Sequence, residues 1–468
     1  AGQGSSTHIS DDDSDDDSDE QSSRHKGLPR RDESAGAPYV LLGVVSYPPN
    51  FEQRNLLRRF SSESGGRRGD GRVPGEGPHL AAEYVFGDSY YGSPPGRDMQ
   101  AKLALEFNEH GDAVFVNARE GIPNVGKASE KSAAWWLEAP KRSGARFFCK
   151  TDDDSLIHGA HLASALAAAE KAAGDSRHPL ILLSYIRWRG WIPHYDFQAC
   201  GGGWGGPMDA INQMEDPRNK CERAEGPFPQ GTGTLTCMSR ALALEVAADE
   251  RFRDWTTVAR ARNDYGTPCK SAAECAAQPA SIHMWHHEDA GISYNVWRTV
   301  TKLIAASSGD GARVNVSESA TNARPETGSG VGADGAGNRR KVHLIHLPEK
   351  GWFWPWYNSQ NFAKPGMLAK AIVVHKVTPT LYPEVKAAWE VKVPFPKVVA
   401  DCSQSCATWG WTRARVACDL LPPLEDNAGG WRGFLPRWNG TMCPLTPARH
   451  FKCCFLREAN PGEDASAV

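Results

Sequence analysis

The sequence predicts an α/β chain built around a mainly parallel sheet, and three observations carry that prediction. Apolar runs of strand length recur without the alternation of a half-exposed strand, so they read as strands covered on both faces. Segments with helical apolar spacing separate them. The best-marked run, Arg146-Phe147-Phe148-Cys149-Lys150-Thr151, ends abruptly in Asp152, Asp153 and Asp154. Such a run reads as a buried strand that delivers carboxylates to a sheet edge. Strands alternating with helices give a parallel sheet with helices on its faces.

The elements follow in order. Residues 1–37 are poor in apolar side chains and contain Asp11-Asp12-Asp13-Ser14-Asp15-Asp16-Asp17, which reads as a disordered, solvated tail. The run Tyr39-Val40-Leu41-Leu42-Gly43-Val44-Val45 is the first strand, stopped by Pro48-Pro49. Leu56, Leu57 and Phe60 then recur at helical spacing. A second strand covers 82–87, a helix runs through Leu103 and Phe107, and a third strand covers 113–116. A helix over about 127–138 leads to the strand 146–150. The helix 162–172 and the strand 180–183 complete the run. From Tyr185 to Gln230 the pattern dissolves into Trp, Gly and Pro and reads as a long loop or a set of insertions. A stretch over about 306–340, rich in Gly, Ser and Ala, reads as a flexible insert. A strand returns at 342–347. The expected organisation is a tail at 1–37, a main domain at 38–400 and a Cys-rich module at 401–468. No internal repeat is present.

Composition narrows the classes. A net charge of −3 over 468 residues argues against a nucleic-acid partner held by bulk electrostatics. Six of the 12 cysteines fall after residue 400: Cys402, Cys406, Cys418, Cys443, Cys453 and Cys454. They include no C-x-x-C pair, so they read as a disulfide framework rather than a zinc site. With the sequons at Asn315 and Asn439, they favour an oxidising, secretory compartment. No apolar run of about 18 residues exists to span a membrane. The chain begins at Ala1 without Met, and the expectation is a trimmed form whose anchor or signal segment lies outside it.

Three adjacent carboxylates are costly unless a cation neutralises them. Oxygen ligands of this kind suit a hard divalent ion such as Mn²⁺ or Mg²⁺. The first expectation is a metal-assisted enzyme whose substrate carries phosphate. Ser46 and Asp152 to Asp154 both follow predicted strands, at the carboxyl edge where open α/β sheets bind ligands.

Several blocks together resemble glycosyltransferase family 31, the beta-1,3-galactosyltransferase and fringe-like enzymes. Lys150-Thr151-Asp152-Asp153-Asp154 is similar to the end of that family's metal-binding strand. Asn50 to Arg58 resembles its Arg-bearing helix, although Phe60-Ser61 stands where the family has Trp. Pro229-Gln230-Gly231-Thr232-Gly233-Thr234-Leu235 resembles its Gly block, with Leu235 or a neighbour in place of Tyr. Glu288-Asp289 resembles its acidic turn, and a late-strand His fits as well. The blocks stand in family order over roughly residues 39–360.

The resemblance implies a GT-A-type, Rossmann-like fold. It also implies an inverting transfer of a hexose or N-acetylhexosamine, galactose favoured, from a UDP-sugar to a hydroxyl of a glycan or glycoprotein. It implies Asp154 as direct metal ligand. Asp152 then faces the ribose or a metal-bound water, and Asp153 orients its neighbours. His346 or His343 supplies a nitrogen ligand. The two alternate across the strand, and His346 is preferred because it lies nearer the strand's end. Asp289 is implied as the base, with Glu288 as the alternative or a helix N-terminal carboxylate as the bland reading. Arg54 and Arg58 either meet the diphosphate or form a solvated basic face. Gly231 and Gly233 either let backbone approach a ligand or form a plain turn. The implied setting is the Golgi lumen, as a trimmed type II membrane protein, or secretion. Two rivals stand beside this reading. One is a non-catalytic, lectin-like protein, and the other is a metal-dependent hydrolase using His283, His286 and His287.

Overall fold

The computed structural model describes residues 38–63, 80–90, 93–121, 128–174, 178–191, 225–261, 288–307, 341–348, 352–354, 368–390, 396–403, 451–460 and 462–463. The acidic tract, both sequons, most of the Gly/Ser/Ala insert, His283 to His287 and most of the Cys-rich stretch lie outside them.

Strand β1 (Val40–Val45) is buried at every position, as a continuous apolar run requires of a strand covered on both faces. It pairs in parallel with β2 (Leu80–Tyr90) and with β4 (Phe147–Asp152), and β2 pairs in parallel with β3 (Ala113–Glu120). Beyond β4 lie β7 (Glu225–Ser239), β6 (Leu180–Trp191), β8 (Val342–His346), β12 (Phe451–Glu458) and β11 (Val398–Asp401), giving a nine-stranded sheet. Only β7 and β11 run against the rest. The mainly parallel α/β architecture is therefore present. The Cys-rich stretch contributes β12 to the sheet, where Cys454 is bonded to Cys402.

Helices cover both faces. Alternate residues of β1 feed two cores: Leu41 and Val45 pack on one side, Val40, Leu42 and Val44 on the other. The first side is closed by α3 (Ser129–Arg142), α5 (Arg240–Ala248), α6 (Glu250–Ala261) and α7 (Glu288–Ser307). Ile292, Val296, Val300 and Ile304 recur every four residues along α7 and form its buried stripe. The second side is closed by α1 (Phe51–Glu63), α4 (Gly159–Ala172) and α8 (Tyr382–Glu390). Helix α2 (Arg97–His110) sets Phe107 against the same side. Among the described residues no helix is long and apolar enough to cross a membrane.

Two differences from the sequence reading shape the site. Strand β6 does not stop at 183 but runs on to Trp191, paired with β7 through a bulge between Ser184 and Ile186. Gly231 and Gly233 thus sit in a strand rather than a loop. Glycine, proline and threonine hide its period, and its pairing with both β4 and β6 forms it instead. A buried disulfide, Cys149–Cys237, joins β4 to β7 at one register position. The second difference is a small three-stranded sheet of β5 (Ser155–Ile157), β10 (Val373–His375) and β9 (Phe353–Trp354). It hangs from the end of β4 and carries a residue that the sequence reading missed.

Candidate active site

Strand β4 ends at Asp152, and the chain turns through Asp153 and Asp154 into β5. Strand β10 runs antiparallel to β5, with His375 opposite Ser155. This register brings one donor atom each from Asp152, Asp154 and His375 within 4.8 Å of one another. His375 Nε2 lies 3.2 Å from Asp154 Oδ1, and Lys376 Nζ lies 3.3 Å from Asp154 Oδ2. Burial alone would raise the Asp154 pKa. The His375 contact and the Lys376 charge outweigh it and hold the carboxyl below its ordinary value.

Asp154 Oδ1 is buried, and the approach of His375 Nε2 at 3.2 Å is not a well-formed hydrogen bond, so charge holds this oxygen. A buried carboxylate oxygen without a well-formed hydrogen bond favours a cation beside it. Two carboxylates and an imidazole are the donor types that bind divalent ions, so the three residues fit such an ion.

The histidine of this cluster is His375, not His346 or His343. His346 is spent elsewhere: its Nδ1 accepts from the Ile186 amide at 3.1 Å, across the bulge in β6. Its ring packs between Tyr185 and Phe455, and burial pushes its pKa down to about 4. His343 lies beside Ile181 and Lys452 in the sheet. Burial, then Lys452 and Lys341, lowers its pKa to about 4. A usable signal for His375 existed. Ala371-Ile372-Val373-Val374-His375 is an apolar run ending in His, and it offers a late-strand His just as the run 342–347 does.

Behind the aspartates lies a buried ion cluster. Lys150 Nζ donates to Asp152 Oδ1 at 2.7 Å and to the Gly233 carbonyl at 3.1 Å, and pairs with Glu288 Oε1 at 2.9 Å. Its side chain is 2% exposed. Burial disfavours its charge, but Asp152 and Glu288 overcome that and raise its pKa. Burial raises the Glu288 pKa against the pull of Lys150. Glu288 and Asp289 open helix α7, where the helix dipole favours anions. Gln230 Nε2 donates to Asp289 Oδ2 at 2.8 Å, and the Ala290 amide donates to Oδ1 at 2.8 Å. A Cβ on Gly233 would lie 3.2 Å from Glu288 Oε2, and one on Gly231 would lie 2.8 Å from Thr236 Oγ1. Both glycines therefore admit the ion cluster and its neighbours. A cavity of about 10 Å³, the threshold for one water, is lined by Lys150, Gly231, Gly233, Glu288, Asp289 and Ser293 among others.

The loop after β1 converges on the same edge. Asp153 Oδ2 accepts from Ser46 Oγ at 2.7 Å, Asn50 Nδ2 at 2.9 Å and the Tyr47 amide at 3.2 Å. Burial raises the Asp153 pKa, with these donors opposing it. Asp153 thus ties the β4 turn to the β1 loop, an orienting contact within the protein.

Arg54 and Arg58 do not face the site. Arg54 is fully buried and donates to Glu106 through Nε at 2.8 Å and Nη2 at 2.6 Å. It also donates to Ser46 Oγ and to the carbonyls of Tyr47 and Pro48. Arg58 shares Glu106 and forms a two-point pair with Asp112. A buried guanidinium must be paired within the protein. Arg54 supports the Ser46 to Pro48 loop from behind, and Arg58 braces it through the shared Glu106.

No known family's sequence profile matches the chain, and no curated protein matches it. Among solved structures, an active-site mutant of LgtC is similar at 9% identity, over 53% of this chain and 69% of that one, with a TM-score of 0.25. At that TM-score the likeness bears on neither fold nor activity.

Proposed function

We propose that this chain is a GT-A-type, inverting, metal-dependent glycosyltransferase. It moves a hexose or N-acetylhexosamine, galactose favoured, from a UDP-sugar to a hydroxyl of a glycan or glycoprotein. The observation that carries the reading is the Asp152–Asp154–His375 cluster, with an Asp154 oxygen that lacks a well-formed hydrogen bond, at the carboxyl edge of a mainly parallel sheet. In this reading the three side chains hold Mn²⁺ or Mg²⁺. The bound ion supplies positive charge where negative charge grows on the departing diphosphate.

The chain's own residues do the rest. Asp289 takes the proton from the acceptor hydroxyl as that oxygen attacks the sugar carbon from the face opposite the diphosphate. Gln230 orients it through Oδ2. Glu288 is the weaker choice of base because Lys150 already holds its carboxylate. Ser46, Asp153 and the arginine-backed loop shape the nucleotide side of the crevice. The setting is an oxidising compartment such as the Golgi lumen, in keeping with the disulfides Cys149–Cys237 and Cys402–Cys454.

The test is a panel of UDP-sugars with Mn²⁺ and mixed glycan acceptors, read as UDP release and as product anomer by NMR. Turnover with inversion is expected, and Asp154→Asn should abolish it and weaken Mn²⁺ binding at least tenfold. If no UDP-sugar is turned over, and neither UDP nor Mn²⁺ shifts the Tm, the reading fails. Glycan binding that survives in Asp154→Asn, with no turnover by either protein, would leave the lectin-like alternative standing.

A further inference from the structure

We propose that Lys376 is the side chain that meets the diphosphate of the donor, and that its backbone conformation is maintained for this contact. The inference rests on the glycosyltransferase reading and adds a residue to it. Among the described residues other than glycine, Lys376 alone has a positive φ, of 64°. That left-handed region is crowded for any residue with a Cβ and comfortable for glycine. A lysine there persists only when its surroundings over-determine it.

The surroundings do so from three directions. His375 pairs with Ser155 across the small sheet. The Val377 amide donates to the Asp154 carbonyl at 2.9 Å. Gln53 Nε2 donates to the Val377 carbonyl at 3.0 Å. The turn is thus clamped to helix α1 on one side and to the aspartate turn on the other. The result is an ammonium 3.3 Å from Asp154 Oδ2 on a side chain that stays 47% exposed.

Among the described residues, charge and access select Lys376 over Lys150, Arg54 and Arg58. Lys150 is 2% exposed and committed to Asp152, Glu288 and the Gly233 carbonyl. Arg54 and Arg58 are buried against Glu106 and Asp112. Lys376 has a flexible stem and carries its ammonium against Asp154 on a side chain that is 47% exposed. In the free protein it helps to neutralise Asp154. A divalent ion held by Asp154 and His375 would repel the ammonium and leave it to meet the anion that such an ion recruits, in this reading the donor's diphosphate. There the ammonium offsets charge on the leaving group at an edge already built to carry it.

Glycine suits a φ of 64°, so Lys376→Gly separates side chain from backbone without threatening the fold. The experiment titrates Mn²⁺ alone, and then UDP in the presence of Mn²⁺, into wild type, Lys376→Gly and Lys376→Arg, with a Tm for each. The Gly variant should melt at or above wild type and bind Mn²⁺ as well or better. It should bind UDP at least tenfold more weakly, about 1.4 kcal/mol, while Arg restores part of the loss. A Gly variant with wild-type UDP affinity overturns the proposal. So does one that loses Mn²⁺ and UDP together, because the turn would then serve only to hold His375. A wild-type protein that binds neither ligand overturns the glycosyltransferase reading itself, and this proposal with it.

Discussion

Lys150 links the two halves of the site, and removing its charge has a calculable consequence. Lys150→Met keeps most of the apolar stem and deletes the ammonium that touches Asp152 Oδ1 and Glu288 Oε1. Those oxygens both contact one nitrogen, so they stand about 5 Å apart. At an effective dielectric of about 20, two charges at that distance repel by about 3 kcal/mol. Stripping one partner from a buried ion cluster costs a comparable ~3–5 kcal/mol. The strain has one outlet, proton uptake by Glu288, whose pKa burial already raises. A carboxyl with a folded pKa above its unfolded value loses stability as the pH climbs from the lower value to the higher. The deficit of Lys150→Met should therefore be largest near pH 7 and shrink toward pH 5. Urea unfolding of wild type, Lys150→Met, Glu288→Gln and the double variant, at both pH values, measures this. The single variant should lose about 3 kcal/mol at pH 7, and adding Glu288→Gln should recover at least half of it. A loss below about 1 kcal/mol, or an equal deficit at both pH values without rescue by Glu288→Gln, would refute the electrostatic account and leave only packing.

Two further outcomes follow from the same geometry. Asp289→Asn should lower kcat by about 10²–10⁴ with Mn²⁺ and UDP binding unchanged; a variant that keeps its kcat removes Asp289 from the role of base. Four histidines, His158, His161, His343 and His346, are held neutral by burial, with pKa values pushed down to about 3 for the first and about 4 for the others. Each is uncharged in both folded and unfolded chains above about pH 6.5, so stability is complete there. As the pH falls from 6.5 to about 4 the unfolded chain takes up protons first, and each histidine removes up to about 1.4 kcal/mol per pH unit. Urea midpoints measured between pH 7 and 5 should fall steadily, and a flat profile would contradict the burial of these rings.

The parts of this molecule legible in the sequence are those whose physics is local. A strand covered on both faces is mostly apolar, so β1 stands out as an uninterrupted run and β4 by Phe147-Phe148-Cys149, and Asp152 to Asp154 mark where β4 ends. Glu288-Asp289 is visible in the sequence only by its likeness to a family's acidic turn, and that it opens α7 is seen only in the structure. What escaped depends on pairing across the chain. Both β8 and β10 are short apolar strands that end in histidine. Nothing within either says that β8 docks beside β6 and β12, where His346 accepts from Ile186, while β10 docks on β5 and brings His375 to the aspartates.

The arginines make the same point with charge. Asn50 to Arg58 offers two cations just after a strand, and a ligand phosphate and an internal carboxylate satisfy such cations equally well. Their counter-charges, Glu106 and Asp112, lie some fifty residues downstream on and just beyond another helix. Burial then separates the cations. Arg54 has no exposure and is paired within the protein, whereas Lys376 pairs with Asp154 on a side chain that stays half exposed. Among the described cations named above, exposure combined with contact to Asp154 is what distinguishes Lys376 from the arginines that build the edge.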